Sequence, residues 1–264
     1  MIHRLDPPPG GAAGPLHGRG IVVTRPGFQA AAFAARIAVL GARPIVFPTI
    51  VILPPPDRRA LDDALRRLEQ FDFAVFVSAN AVEYGVPADR PWPAAVRAIA
   101  PGPGTAAALH ARGVGQVLVP AERFDSEGIL ALPELADVHG RRFLVLRGNG
   151  GRELLGDALV RRGATVEQVA CYVRAKPATG AEGLFEAWRA GAIDAFTVTS
   201  SEGLANLWEM LDDEGRRYLA ATPVFAPHPR IAEAARRLGC REVHETAGSD
   251  AGLVAGLLAH FGAG

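Results

Sequence analysis

Two segments of this chain, Asp72-Phe-Ala-Val-Phe-Val-Ser78 and Asp194-Ala-Phe-Thr-Val-Thr-Ser200, share one pattern and lie 122 residues apart. Each begins with an aspartate, continues through a run that is mainly apolar, and ends in a serine. Because such a run does not alternate between polar and apolar residues, it predicts a strand that is buried on both faces. Strands of this kind belong to parallel sheets covered by helices. The two segments therefore predict an α/β fold.

The separation of 122 residues recurs in other parts of the chain. It relates Arg25, at the end of one apolar run, to Arg147, at the end of another, and it relates Gly41 to Gly163. Further along, residues 98–106 align with residues 224–232 at a separation of 126 residues. Because one separation is shared by several segments, we predict that the chain consists of two similar halves.

Strands and helices are predicted to alternate along the chain. The predicted strands cover residues 21–24, 73–77, 117–119 and 143–146, and the predicted helices cover residues 28–40, 61–68, 105–112, 127–132 and 153–162. This alternation is typical of parallel sheets with helices on their faces. Two longer segments, 44–53 and 165–174, interrupt the alternation at equivalent positions of the two halves. They leave two arrangements open: two tandem domains divided near residue 138, or two domains joined by both long segments as a paired linker.

The composition excludes several classes of protein. The 264 residues include 28 basic and 28 acidic side chains, and this balance argues against a protein that coats nucleic acid or binds membrane surfaces. Two cysteines do not form a disulfide framework, so a reducing, cytoplasmic location is expected. No apolar run is long enough to span a membrane. Residues 1–18, rich in proline and glycine, are predicted to be a disordered leader without the apolar region of a signal peptide.

Polar residues follow the predicted strands repeatedly. In open parallel sheets, ligands bind beyond the carboxyl ends of the strands, where backbone N–H groups of helix N-termini attract anions. The candidate ligand-binding residues at these points are Arg25, Ser78, Asn80, Gly104, Thr105, Arg147, Asn149, Ser200, Ser201, His228 and Arg230. Any single one of them could instead be a helix cap or a partner in a salt bridge. Together they predict a cleft between two domains that binds a polyanionic small molecule.

Other functional signals are weak or absent. The loop Gly102-Pro-Gly-Thr-Ala-Ala107 is similar to a dinucleotide-binding loop, but no acidic residue follows the next strand, so we expect no nucleotide cofactor. The seven histidines lack a helical metal-binding spacing, and no metal site is predicted. Cys171 and Cys240 lie among apolar residues and are predicted to be buried and unreactive. Tyr172 lies in the second long segment and is interpreted as a packing residue or as a phenol facing the cleft.

In these same segments the chain resembles the uroporphyrinogen-III synthase family, the cyclising enzymes of tetrapyrrole biosynthesis. The resemblance covers residues 19–258. The stretches that carry it are Val23-Thr-Arg-Pro26, Phe76-Val-Ser-Ala-Asn80, Gly102-Pro-Gly-Thr-Ala-Ala-Ala-Leu109, Ser126-Glu-Gly128, Leu146-Arg-Gly-Asn-Gly-Gly-Arg-Glu-Leu154, Cys171-Tyr172, Thr197-Val-Thr-Ser-Ser-Glu-Gly-Leu204 and His228-Pro-Arg230. At the last stretch the chain departs from the family, whose other members carry small hydroxyl residues there.

The resemblance implies two similar parallel-sheet α/β domains, Rossmann-like or flavodoxin-like, joined by a two-stranded linker. By analogy, the first domain combines residues 19–46 with 178–264, the second is 56–168, and the linker strands are 47–55 and 169–177. The resemblance thus favours the paired linker over the tandem arrangement.

The resemblance also implies a hydro-lyase without a cofactor. Its substrate would be hydroxymethylbilane, a linear tetrapyrrole with eight carboxylates, and its product uroporphyrinogen III, in which ring D is inverted through a spiro intermediate. Tyr172 matches the tyrosine of the family and would be the catalytic proton donor. We expect a cytoplasmic monomer that has no nucleic-acid or membrane partner. The alternative is a two-lobed protein that binds a polyanion without catalysis.

Overall fold

The computed structural model describes residues 3–4, 14–150 and 154–262 of the chain. They form two compact units, each with one sheet of six strands. The discontinuous unit consists of Met1–Val51 together with Ala175–Gly264, and the continuous unit consists of Ile52–Arg174. The chain therefore passes between the units twice, near residues 51 and 175.

The continuous unit has a sheet flanked by helices. Its strands are β4 (Val51–Leu53), β5 (Phe73–Phe76), β6 (Arg97–Ile99), β7 (Val117–Leu118), β8 (Arg142–Gly148) and β9 (Thr165–Ala175). Its helices are α2 (Arg59–Arg66), α3 (Ala79–Gly85), α4 (Pro103–Ala111), α5 (Ser126–Leu130) and α6 (Leu154–Arg161), with short 3-10 turns at Leu68–Gln70 and Pro133–Leu135. The strand order is β4-β9-β8-β5-β6-β7, and the pairs from β9 to β7 are parallel.

The discontinuous unit is built in the same manner. Its strands are β1 (His3–Arg4), β2 (Gly20–Val23), β3 (Arg43–Val46), β10 (Ala195–Thr197), β11 (Val224–Ala226) and β12 (Val243–Glu245). Its helices are α1 (Gly27–Val39), α7 (Glu182–Arg189), α8 (Ser201–Met210), α9 (Asp213–Ala221), α10 (Pro229–Arg237) and α11 (Asp250–Phe261). The strand order is β1-β3-β2-β10-β11-β12, and only the short β1 is antiparallel to its neighbour.

The central strands are buried on both faces, as their apolar sequences predict. All four residues of β5 and all three of β10 are buried. Helices cover the two faces of each sheet and form two core clusters per unit. In the continuous unit the rings of Phe73 and Phe143, on adjacent strands, stack with their centroids 4.7 Å apart. The prediction of a mixed α/β fold with parallel sheets is confirmed.

The predicted disordered leader is wrong for part of residues 1–18. Leu16 is completely buried in the core of the discontinuous unit, and its backbone N–H donates to the carbonyl of Leu40 at 2.9 Å. His3 and Arg4 pair with β3. The last carbonyls of a helix have no partner within the helix, so the carbonyl of Leu40 is available to the N–H of Leu16. The rest of the proposed leader, residues 1–2 and 5–13, lies outside the described residues.

The two long segments differ from each other in structure. Residues 44–53 are divided between β3 and β4, whereas residues 165–174 lie within one strand, β9. Strands β4 and β9 are neighbours at one edge of the sheet of the continuous unit. The second segment thus extends the sheet up to the point at which the chain enters the discontinuous unit. The compact units do not divide near residue 138, so the tandem arrangement is wrong.

Candidate functional site

Helix N-termini line the carboxyl edge of the sheet in the continuous unit. Ser78 follows β5 and caps α3, with its Oγ accepting the backbone N–H of Ala81 at 3.2 Å. Gly102 follows β6 and is the N-cap of α4. Asp125 caps α5 by accepting the N–H of Gly128 at 2.8 Å. Because the first N–H groups of a helix have no partner within the helix, this edge presents several donors to an anion.

Tyr172 lies at this edge and is 6% exposed. Its hydroxyl is 3.1 Å from the Oγ of Ser78. Its ring packs on Gly148, where an added Cβ would lie 2.7 Å from Cε2 of Tyr172. A glycine at 148 is therefore what allows the ring to lie against β8. Tyr172 belongs to the apolar core through its ring and to the polar edge through its hydroxyl.

Arg147 and Asn149 organise the loop after β8. The Arg147 guanidinium donates to Oε1 of Gln168 and to the carbonyl of Gly150, both at 2.6 Å. The backbone N–H of Asn149 donates to the carbonyl of Tyr172 at 3.1 Å. Residues 151–153 of this predicted glycine-rich segment lie outside the described residues. The structure thus brings Ser78, Asn149 and Tyr172 together, with Arg147 beside them.

The remaining candidates of this unit lie in the first turns of adjacent helices. Asn80 is the second residue of α3, and Gly104 and Thr105 are the second and third residues of α4. Thr105 is buried, whereas a Cβ added at Gly104 would meet nothing within 4 Å. The open space above Gly104 leaves the N-terminus of α4 accessible to a ligand.

The discontinuous unit has a similar edge. Ser200 follows β10 and caps α8, its Oγ accepting the N–H of Gly203 at 2.9 Å. The neighbouring Ser201 hydroxyl is buried and has no hydrogen-bond partner among the described residues. An unpaired buried hydroxyl costs about 1–3 kcal/mol. It is therefore a candidate donor for a ligand group.

Three candidates of this unit have partners of their own. Arg25 donates from Nη1 to Oδ1 of Asp250 at 2.5 Å, and its guanidinium lies 4.8 Å from the centroid of the Phe33 ring. Its buried Nε has no partner within the described part of the chain. His228 caps α10 through Nδ1, which accepts the N–H of Arg230 at 3.1 Å, and both side chains are exposed. Arg25 is therefore held in place by a carboxylate, and His228 acts locally as a helix cap.

Three buried threonines of the discontinuous unit, Thr24, Thr49 and Thr197, are not among the candidate residues predicted from the sequence. Thr24 donates from Oγ1 to the carbonyl of Thr197 at 2.8 Å, and Thr197 donates to the carbonyl of Val22 at 3.0 Å. The carbonyl of Thr49, itself a buried residue, accepts from the side chain of Asn206 at 2.8 Å. Thr24 and Thr197 are visible in the sequence as polar residues at the ends of apolar strands, but nothing local indicates the contact between Thr49 and Asn206.

Both cysteines are buried, as predicted. Burial raises the pKa of the Cys171 thiol to about 12 and that of the Cys240 thiol to about 11. Cys171 donates to the carbonyl of Arg147 at 3.3 Å. Because the thiolate is the nucleophilic form, neither cysteine is a nucleophile at neutral pH.

Comparison with known proteins identifies the family. The model of the family described as uroporphyrinogen-III synthase HemD matches residues 31–254. The chain belongs to the uroporphyrinogen-III synthase family. It is 37% identical over 229 residues to the uroporphyrinogen-III synthase of Salmonella typhimurium, with 84% of this chain and 93% of that protein covered. It is 36% identical over 230 residues to that of Escherichia coli, with the same coverage. The family places the chain among the lyases of porphyrin biosynthesis.

Solved structures agree in fold. A uroporphyrinogen III synthase mutant from Thermus thermophilus superposes with a TM-score of 0.53 at 22% identity, covering 90% of this chain and 96% of that one. The Helicobacter pylori enzyme gives a TM-score of 0.56 at 14% identity, covering 92% and 99%. Within the described residues, each helix is too short or too polar to cross a lipid bilayer.

Proposed function

We propose that this chain cyclises hydroxymethylbilane to uroporphyrinogen III with inversion of ring D. The observation that carries the proposal is the pair formed by Tyr172 and Ser78 at the carboxyl edge of a parallel sheet, in a chain of the uroporphyrinogen-III synthase family. A protonated phenol next to a helix N-terminus provides a proton donor beside a seat for a carboxylate.

The helix N-termini suit the carboxylates of this substrate. Ser200 in the discontinuous unit uses a lone pair to cap α8, which leaves its hydroxyl proton available to a carboxylate, and the backbone N–H groups at the start of α3 and α4 serve the same purpose in the continuous unit. A hydrogen bond to a charged group contributes about 1.5–3 kcal/mol. A few such bonds account for micromolar affinity, about 8 kcal/mol, without a net positive charge on the protein. We propose Ser201, Asn80, Gly104 and Thr105 as further contacts at these edges.

Either hydroxyl can be the donor in the hydrogen bond between Ser78 and Tyr172, and we propose that Ser78 is the donor. Ser78 Oγ accepts from the N–H of Ala81, so its own hydroxyl proton is free to be donated to the oxygen of Tyr172. The proton of Tyr172 is then available for the substrate. In this arrangement Ser78 is a positioning residue, and it makes the phenol a better donor because hydrogen bonds in a chain polarise one another.

The reaction begins when the terminal C–O bond of the bilane breaks. The pyrrole nitrogen supplies electron density, the phenol donates to the departing hydroxyl, and water leaves behind an azafulvene cation. The substituted carbon of ring D attacks this cation to give the spiro intermediate, which fragments and recloses with ring D inverted, and the proton that the pyrrole carbon loses at closure restores the phenol. Without an enzyme, the unsubstituted carbon reacts and the other isomer forms. The protein acts mainly by holding one geometry, and such positioning accounts for as much as about 7–11 kcal/mol of a barrier.

We also propose that the two units are copies of one ancestral domain. Strand order supports this: β9-β8-β5-β6-β7 in one unit corresponds to β3-β2-β10-β11-β12 in the other. Asp72 accepts the N–H of Arg142 and a guanidinium N–H of Arg141, and Asp194 makes the same contacts with Gly20 and Arg19. All three of these positions are separated by 122 residues. The segments 47–55 and 169–177 are proposed as the linkers between the copies.

We also propose a cellular location, an oligomeric state and a range of partners for this protein. We take it to be a cytoplasmic monomer that uses no cofactor and binds no nucleic acid. Two free cysteines and equal numbers of acidic and basic residues support this part of the proposal.

The test is a coupled assay with freshly prepared hydroxymethylbilane. The porphyrinogens are oxidised, and the porphyrin isomers are separated by chromatography. A synthase yields isomer III faster than buffer yields isomer I. A protein that binds the bilane without catalysis protects or retains it and leaves isomer I as the product, and this result would reject the proposal.

A further inference from the structure

We propose that the discontinuous unit carries a binding site for a divalent transition metal ion such as Zn²⁺, formed by Glu242, His244 and His260. One ligand atom from each of these side chains lies within 4.8 Å of the others. Oε1 of Glu242 is 2.8 Å from Nε2 of His244 and 3.5 Å from Nδ1 of His260. This inference does not depend on the proposed reaction.

The donor set and its spacing fit zinc. Zinc bound at about 2.0–2.2 Å by imidazole and carboxylate in a tetrahedron separates its ligand atoms by about 3.3–3.6 Å. The distance of 3.5 Å between Glu242 and His260 lies within this range, and that of 2.8 Å between Glu242 and His244 lies below it, so the two side chains must separate by about 0.5 Å to complete the site. Two histidines and one glutamate leave the fourth zinc position to water, as in known zinc sites with three protein ligands.

Aromatic packing fixes the two imidazole rings. His244 is the register partner of the fully buried Phe225, and their rings stack with centroids 4.6 Å apart. The ring of His260 packs edge-on against His244 at 4.7 Å and against Phe261 at 4.5 Å. A ligand that is held by its neighbours loses little conformational freedom when a metal binds, so the cluster is preorganised.

The cluster lies away from the candidate substrate site. Glu242 immediately precedes β12, whereas Ser249, the N-cap of α11, follows it. His260 belongs to the last turn of α11, so the helix returns it to the amino end of the strand. A metal ion here would join the edge strand β12 to the last helix of the described chain and stabilise the unit.

Two arginines contact residues next to the cluster, and Nη2 of Arg236 donates to the carbonyl of Val243 at 3.5 Å. The guanidinium of Arg19 lies 4.9 Å from the centroid of the Phe261 ring. Its charge is offset by an ion pair with Asp194 at 3.2 Å. Glu242 offers a carboxylate oxygen, and each histidine offers a ring nitrogen, to one metal ion.

The experiment measures Zn²⁺ binding to the untagged full-length protein by titration calorimetry at neutral pH. The wild type should bind one ion per chain, and Glu242→Gln and His260→Ala should each weaken binding. Even changes outside the ligand shell weaken metal sites by about 10–100-fold, so the loss of a ligand should cost at least about tenfold. His17→Ala is the matched control, because it removes an exposed histidine of the same unit that lies outside the cluster.

A second measurement reports geometry and separates binding from general histidine affinity. Co²⁺ should give the intense visible absorption of a tetrahedral site with the wild type and with His17→Ala, but not with Glu242→Gln. Saturating Zn²⁺ should raise the Tm of the wild type by at least about 3 °C. Absence of one-to-one binding by the wild type, or equal affinity in the wild type and Glu242→Gln, would overturn the proposal and leave the cluster as a hydrogen-bonded group.

Discussion

Replacing Tyr172 with phenylalanine removes one oxygen from the candidate site and leaves the packing of the ring intact. The hydroxyl makes one neutral hydrogen bond, at 3.1 Å to Ser78, so its loss should lower the free energy of unfolding by about 1 kcal/mol. Ser78 keeps its capping contact with Ala81, so α3 should remain in place. The variant should therefore be folded at assay temperature.

The effect of this change on catalysis should be larger than its effect on stability. General acid catalysis contributes about 10²–10⁴-fold, and the pyrrole nitrogen already assists departure of the hydroxyl here. We therefore expect kcat to fall about 10–100-fold, which corresponds to about 1.4–2.7 kcal/mol of the barrier. Because positioning is unchanged, the remaining product should still be mainly isomer III.

Tyr84→Phe is the matched control for this prediction. The Tyr84 hydroxyl also makes a hydrogen bond of 3.1 Å, to the carbonyl of Ile52, in the same unit. Its removal should cost similar stability and leave kcat unchanged. Initial rates by the coupled isomer assay and urea denaturation of both variants provide the comparison. Unchanged turnover in Tyr172→Phe, or an equal loss in Tyr84→Phe, would refute the role of Tyr172 as proton donor.

Three further predictions follow from the same unit. Gly148→Ala places a Cβ 2.7 Å from the Tyr172 ring and should lower kcat at least about tenfold, because the ring must move. Gly115→Ala is the control and should leave kcat unchanged, because its added Cβ meets nothing within 4 Å. Equal rates in the two variants would show that the position of the ring does not matter for catalysis. Arg147→Ala should raise KM about 10–100-fold with little change in kcat, measured by initial rates, and an unchanged KM would make this arginine structural. Partial burial raises the pKa of the Asp72 carboxyl, but hydrogen bonds from the backbone N–H of Arg142 and the guanidinium of Arg141 lower it by more. The pKa of Asp72 therefore lies below its ordinary value of 3.8. Asp72→Asn should therefore cost about 1–2 kcal/mol at pH 7, and the difference should shrink as the pH falls below 3.8; urea denaturation showing a constant difference would contradict this.

The sequence predicts those parts of the fold in which burial or backbone conformation determines the types of neighbouring residues. Strands β5 and β10 are continuous apolar runs because both of their faces are covered, and such a run is visible without any structure. Gly41 and Gly163 end helices in the left-handed region, with φ of 89° and 86°, where a residue without a Cβ is favoured. These features follow from neighbours along the chain.

Features that depend on distant residues were not predictable. Leu16 stands in a stretch rich in glycine and proline, and its burial depends on a pocket formed by α1 and the helix end at Leu40. The extension of β9 up to Ala175 depends on pairing with β8, which a long apolar segment alone does not reveal. Composition predicted disorder in the first case, because it does not include tertiary contacts. In the second case the segment 165–174 was expected to be too long for one strand of the sheet, and only its pairing with β8 shows otherwise.

In the candidate site, too, some residues are recognisable from their neighbours in the sequence, and others depend on contacts between distant residues. Ser78 and Ser200 were recognisable because a serine between a buried strand and a helix is a typical N-cap. The pairing of Ser78 with Tyr172 joins residues 94 positions apart, and only the sheet order brings β5 and β9 to the two sides of β8. Glu242 and His244 are two residues apart at the start of β12, but His260 reaches them from a helix, so no spacing rule for metal ligands applies.

The central property proposed for this protein is that it dictates which carbon of ring D reacts. The most direct measurement is the ratio of isomer III to isomer I formed from hydroxymethylbilane with the wild-type protein in catalytic amounts. We predict that isomer III predominates and that the ratio falls towards the buffer value as the protein is diluted. A ratio equal to that in buffer at every protein concentration would contradict the account.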